Sequence, residues 1–161
     1  MIDSEIIANV RNTIIRLIKR YREYETLIRY PGDWGERALR FWIIKELFMD
    51  HLHWRVENIV FGERYDVLLV DEHIRPRIYV ETKRPGIRIT ERHIREAIDR
   101  ARDFYSIDYV VVTNGITWIL YDCIKGDIYE IEDIRKAVRG RILDFFNKIH
   151  AMNYIRLGHN R

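Results

Sequence analysis

Arg64-Tyr65-Asp66-Val67-Leu68-Leu69-Val70, a turn from Asp71 to Pro76, then Arg77-Ile78-Tyr79-Val80-Glu81-Thr82-Lys83: this stretch decides how the chain is read. Both halves are apolar runs of strand length, and charge interrupts each of them. Alternate residues of a strand share a face. Asp66 therefore shares its face with Leu68 and Val70, and Glu81 and Lys83 share theirs with Tyr79. If the two strands pair, Asp66 and Glu81 converge at one end of a sheet, with Lys83 one pleat away. Carboxylates in such strands are costly to bury unpaired, and a divalent cation would remove that cost. Asp66, Glu81 and the Thr82 backbone carbonyl make a hard-oxygen set suited to Mg²⁺ or Mn²⁺, completed by water. Such an ion would polarise a phosphate and lower the pKa of a bound water. Lys83 would orient or help deprotonate that water, or stabilise developing charge. Beside two carboxylates it is expected to stay charged. The plainer alternative is a structural ion pair between Asp66 and Lys83.

Working outward, residues 4–24 carry Ile7, Val10, Ile14, Leu17, Ile18 and Tyr21 at helical spacing. Tyr30 to Asp33 breaks that helix, and Asp33 caps a second one reaching about His51. Its inner stripe holds Leu39, Ile43 and Leu47. Glu36 lies on the same stripe, placed to add an outer carboxylate or hold a water near the site, unless it serves only the helix N-terminus. Strands are expected at 56–61, 65–70 and 77–83. Thr90 caps a helix with Ile94, Ala97, Ile98, Ala101 and Tyr105 inward. Tyr109 to Thr113 reads as a central strand, Asn114-Gly115 as a hairpin turn, and 116–121 and 128–131 as strands. A last helix is expected from about Ile131 to Ala151. The order predicts one α/β domain with a mixed sheet flanked by helices: an N-terminal helix at 1–30, an α-βββ-α-ββ core at 33–131, and a basic helix and tail at 132–161.

The chain has 161 residues, 47% hydrophobic and 33% charged, with a net charge of +3. That total implies no partner by itself; distribution matters more. Lys83 to Arg102 holds seven basic residues against three acidic ones, and Arg135 to the C-terminus seven against one. These segments nominate Arg84, Arg88, Arg92, Arg100, Arg139 and Arg141 as contacts to a phosphate backbone, against the alternative of solvated helix faces. Cys123 stands alone, so neither an internal disulfide nor a cysteine zinc cage is available. His51 and His53 lack a third ligand nearby, and a surface role is expected for them. Trp34, Trp42, Trp54 and Trp118 are expected in the core or at its edge, with Trp34 the one candidate for DNA contact. No signal peptide or membrane span is read, and a cytoplasmic setting is expected. The absence of glutamine, beside abundant Arg, Glu, Ile and Tyr, resembles the composition of thermophilic proteins.

Asp66, a fourteen-residue gap and Glu81-Thr82-Lys83 together resemble the PD-(D/E)XK nuclease signature, with Tyr65 where the name has proline. The resemblance is closer to the N-terminal nuclease domain of type I restriction enzyme motor subunits and its free-standing relatives. It rests on a helix glutamate like Glu36, a run like Glu81-Thr82-Lys83-Arg84-Pro85-Gly86, and a phrase like Thr113-Asn114-Gly115-Ile116-Thr117-Trp118. It spans roughly residues 33–122. It implies a restriction-endonuclease-like fold and a Mg²⁺-dependent DNA endonuclease working in restriction or defence, as a homodimer or with accessory subunits. One departure stands out. Where relatives carry Gln-x-x-x-Tyr on the helix after the lysine, this chain has Glu96 and Arg100. The motor domain of the restriction subunits is absent from this sequence. A Holliday-junction resolvase or repair nuclease shares the same core, and a DNA-binding module that kept the fold without cutting is the alternative from another class.

Overall fold

A computed structural model describes residues 4–28, 34–62 and 66–156. The break at Tyr30 to Asp33, with Asp33 as a helix cap, and Tyr65 in the second strand lie outside these residues, as does the end of the basic tail. Helix α1 (Ser4–Glu23) is followed by a short α2 (Glu25–Ile28) and by α3 (Trp34–Ile43), which continues as a wider π-helical turn over Ile44–Met49. Six strands follow: β1 (Ile59–Phe61), β2 (Val67–Val70), β3 (Pro76–Thr82), β4 (Tyr109–Thr113), β5 (Trp118–Asp122) and β6 (Ile128–Ile131). Helix α4 (Glu91–Ala101) connects β3 to β4, and α5 (Arg139–Lys148) follows β6.

The strands lie in sequence order in one sheet. All neighbours are antiparallel except β3 and β4, which run parallel because α4 carries the chain back between them. This is a mixed sheet flanked by helices, an α/β fold. Alternation sorts the side chains into two cores. Val67, Leu69, Ile78, Val80, Val111, Trp118, Leu120 and Ile131 face α1, α3 and α5. Leu68, Val70, Tyr79, Val110, Val112 and Ile119 face α4, through Ala97 and Ala101. The α1 stripe is buried as its spacing predicts, from Ile7 to Tyr21. Each such side chain contributes about 1.5–3 kcal/mol, and truncating Leu17 to alanine would cost about 2–5 kcal/mol.

Three expectations are corrected. Tyr105 is fully exposed. Helix α4 stops at Ala101, Phe104 N–H donates to the Ala101 carbonyl, and Phe104 takes the place against the α4-side core. The last helix begins at Arg139, not near Ile131. Asp133 accepts from Arg135 N–H in a local turn, and Ile134 N–H donates to the Ile116 carbonyl, which drives Ile134 into the core. The β4–β5 connection is also longer than a two-residue turn, because Thr113 pairs with Trp118 and leaves four residues between them.

Candidate active site

The end of β3 gathers the charges that the sequence singles out. Val67 pairs with Val80, so Asp66, just before β2, stands opposite Glu81. Its carboxylate turns over the strand end. Asp66 Oδ2 accepts from Thr82 N–H at 2.6 Å and from the Thr82 hydroxyl at 3.2 Å. Asp66 Oδ1 meets the Arg40 guanidinium at 3.0 Å. Glu81 points to the α4 face, with its side chain only 2% exposed. One oxygen, Oε1, accepts from Arg100 and, at 3.5 Å, from the Tyr79 hydroxyl. The other, Oε2, is buried with no partner. Lys83 follows β3, half-buried, its backbone N–H donating to the Thr113 carbonyl at 2.8 Å.

Glu36 reaches the same place from α3, half-buried and 3.6 Å from Arg40 one turn later. Leu39 and Ile43, on its stripe, are fully buried, so packing aims Glu36 at the strand ends. Burial pushes the Glu36 carboxyl up, and so do Asp66 and Glu81, while Lys83 and Arg40 oppose the rise. Burial likewise pushes Glu81 up, against the pull of Lys83 and Arg100. Lys83 is the strongest opposing charge on both carboxyls.

The structure thus brings together Asp66, Glu81, Thr82, Lys83 and Glu36. Sequence reasoning missed Arg40. Its signal was available: it lies four residues after Glu36, one turn along the same helix face. Arg100 was nominated as a phosphate contact, and it bonds Glu81 from the last turn of α4. Glu96, four residues earlier, is held by Arg92 at 2.8 Å, which lowers its carboxyl pKa. Arg84 and Arg88 are exposed on the loop after β3. That loop is pinned, since the Asn114 side-chain amide donates to the Ile87 carbonyl at 2.8 Å. Asn114 also closes its own turn by accepting from Ile116 and Thr117 N–H. Arg139 and Arg141 are exposed at the start of α5, where Arg141 donates to the Glu130 carbonyl at 3.3 Å. The cross-strand pairs Thr82–Thr113, Thr113–Trp118 and Trp118–Ile131 put the end of β6 at the site's end of the sheet. Three strand spacings separate them, about 14 Å.

Other candidates separate cleanly. His51 Nε2 hydrogen-bonds the Thr13 hydroxyl at 2.9 Å. His53 packs on the buried His150, ring centroids 5.1 Å apart. Trp54 and Trp118 are core, Trp42 is half-buried beneath Arg20, and Trp34 is 53% exposed at the start of α3. Among the described residues no group of three or more His, Cys, Asp or Glu side chains is placed to hold a metal ion alone. A cation at this site would take Asp66 and Glu81, where the unpartnered Glu81 Oε2 is a fitting donor, and complete its shell with a backbone carbonyl and water. No helix among the described residues is long and apolar enough to cross a membrane.

No curated protein matches the chain. A solved structure described as the cryoEM structure of a DrdV–DNA complex is similar over 84% of this chain and 14% of that one, with 17% identity and a TM-score of 0.49. Residues 39–135 match the family model of the type I restriction enzyme R protein N terminus, a span that includes Arg40, Asp66, Glu81, Lys83 and Arg100 and begins just after Glu36. With well over half of its length matched, the chain belongs to the type I restriction enzyme R protein N-terminal family.

Proposed function

We propose that the chain is a DNA endonuclease of restriction or defence type, dependent on Mg²⁺ or Mn²⁺, that hydrolyses phosphodiester bonds at the end of β3. The observation that carries this is Glu81: a buried carboxylate with one unpartnered oxygen, opposite Asp66 and beside Lys83. Asp66, Glu81 and the Thr82 carbonyl would hold the ion. When bound, it supplies a polarised phosphate and an acidified water. Lys83 would orient the attacking water and stabilise charge on the phosphate. Glu36, its carboxyl pushed up by burial, would accept the proton of the attacking water or hold a second water beside the site. Arg84, Arg88, Arg139 and Arg141 track the DNA backbone, with Arg92 engaged mainly by Glu96. The chain works in the cytoplasm, as a homodimer or beside further subunits.

The test is cleavage of linear, circular, branched and single-stranded DNA with Mg²⁺ or Mn²⁺. Asp66→Ala and Glu81→Ala abolish cutting and leave the fold intact; unchanged turnover in either ends the proposal. Strong preference for branched DNA would assign a junction resolvase or repair role. DNA affinity falls steeply with salt, and replacing Arg139 and Arg141 with alanine flattens the slope. A second reading, a DNA-binding module that does not cut, draws on one observation: Asp66 and Glu81 each already have an arginine. Calorimetric titration with Mn²⁺ separates the two, since a module whose carboxylates stay with their arginines takes up no ion.

A further inference from the structure

The two arginines at the site are held differently. Arg40 is 17% exposed and tied to Asp66, to the Thr82 hydroxyl at 3.3 Å and to Glu36. It belongs to the frame of the site. Arg100 is 45% exposed and reaches in from the surface of α4 to the Glu81–Tyr79 pair. Glu81 has its own need for it. An ionised carboxylate at 2% exposure is costly without a nearby cation, and Arg100 is the cation bonded to its Oε1, beside the Tyr79 hydroxyl.

We propose that Arg100 is an exchangeable counter-ion: it neutralises Glu81 until a divalent cation takes that carboxylate, then turns to a DNA phosphate. This rests on the metal-dependent reading above. A guanidinium beside a newly bound divalent cation meets like charge, and a long side chain half in water can leave. Its planar fork matches phosphate oxygens better than any other side chain. Arg100 thus supplies a positive charge where a phosphate must be held. It is also a positioning residue for Glu81 before DNA arrives.

The test measures binding without cutting. Duplex DNA affinity is read by fluorescence anisotropy in Ca²⁺ and in EDTA for the parent, Arg100→Ala and Arg100→Lys, and Mn²⁺ affinity by calorimetry at pH 8 without DNA. In EDTA Arg100→Ala matches the parent, because Glu81 occupies the side chain. In Ca²⁺ it binds DNA about tenfold more weakly, the loss of one charge-assisted contact, and Arg100→Lys recovers part of that. Arg100→Ala also binds Mn²⁺ more tightly, since the competing cation is gone. Equal weakening in Ca²⁺ and EDTA would make Arg100 an ordinary phosphate contact and overturn the exchange. Unchanged Mn²⁺ affinity would make it a fixed structural pair, with the same consequence. A parent protein that binds neither ion overturns the nuclease proposal itself, and this one with it.

Discussion

Asn114 links the most distinctive phrase of the sequence to the basic loop beside the site, and its removal is the most informative perturbation. The residue is 6% exposed, and its side chain makes three hydrogen bonds: it donates to the Ile87 carbonyl at 2.8 Å and accepts from Ile116 N–H at 2.9 Å and Thr117 N–H at 2.8 Å. Asn114→Ala loses all three. At about 1 kcal/mol net per bond the cost is about 3 kcal/mol. Asn114→Asp keeps the acceptor and loses the donor to Ile87, so it costs about 1 kcal/mol, plus whatever repulsion the carboxylate meets at that carbonyl. For a chain of this size each kcal/mol lowers Tm by about 2–4 °C. Urea unfolding gives the stabilities, and amide hydrogen exchange over residues 84–90 reads the loop. Both variants speed exchange there, while only Asn114→Ala loosens the turn at 116–117. If the two variants lose the same stability, or if loop exchange is unchanged in Asn114→Asp, the clamp on Ile87 does not order the loop and the reasoning fails.

Three further outcomes follow from the site and its surroundings. Burial raises the Glu81 carboxyl above its ordinary 4.5, so its contribution to stability is complete below that value and is lost as pH rises through the folded-state pKa. Glu81→Gln therefore unfolds at higher denaturant than the parent at pH 8, the gap closes as pH falls below about 4.5, and a gap that widens in acid refutes the assignment. Gly115 sits at φ +92°, and a Cβ there would lie 2.8 Å from Ile18 Cδ1 on α1. Gly115→Ala costs about 2–4 kcal/mol from left-handed backbone and overpacking together; adding Ile18→Val recovers only the packing share, as paired denaturation curves will show. Lys83→Ala removes most single-turnover cleavage but leaves metal and DNA binding in place, and Lys83→Arg restores little because a planar fork does not reproduce a compact ammonium. Cleavage by Lys83→Ala at the parent rate would return Lys83 to a merely structural role.

Much of the fold was legible because it is local. The α1 stripe, the alternation in β2 to β5 and the Thr90 cap need only residues a few positions apart; Thr90 Oγ1 accepts from His93 N–H while His93 Nδ1 accepts from Thr90 N–H, a box closed by histidine where Glu or Gln is usual. Local rules failed where long-range contacts outweighed them. The stretch after β6 reads as continuous helix, yet burying Ile134 and bonding it to Ile116 stabilises a turn there instead.

The sequence by itself determined the α/β class and the strand faces, because a strand's period of two assigns each residue a side without reference to the rest of the molecule; the pairing of β2 with β3 then set Asp66 opposite Glu81. Only the tertiary structure decided which cations those carboxylates meet. Arg40 reaches Asp66 from α3, Arg100 reaches Glu81 from α4, and Asn114 reaches Ile87 across two loops. Each partner lies on a different element from the group it holds. Periodicity sets the face an element presents, while the packing of one element on another sets what that face touches.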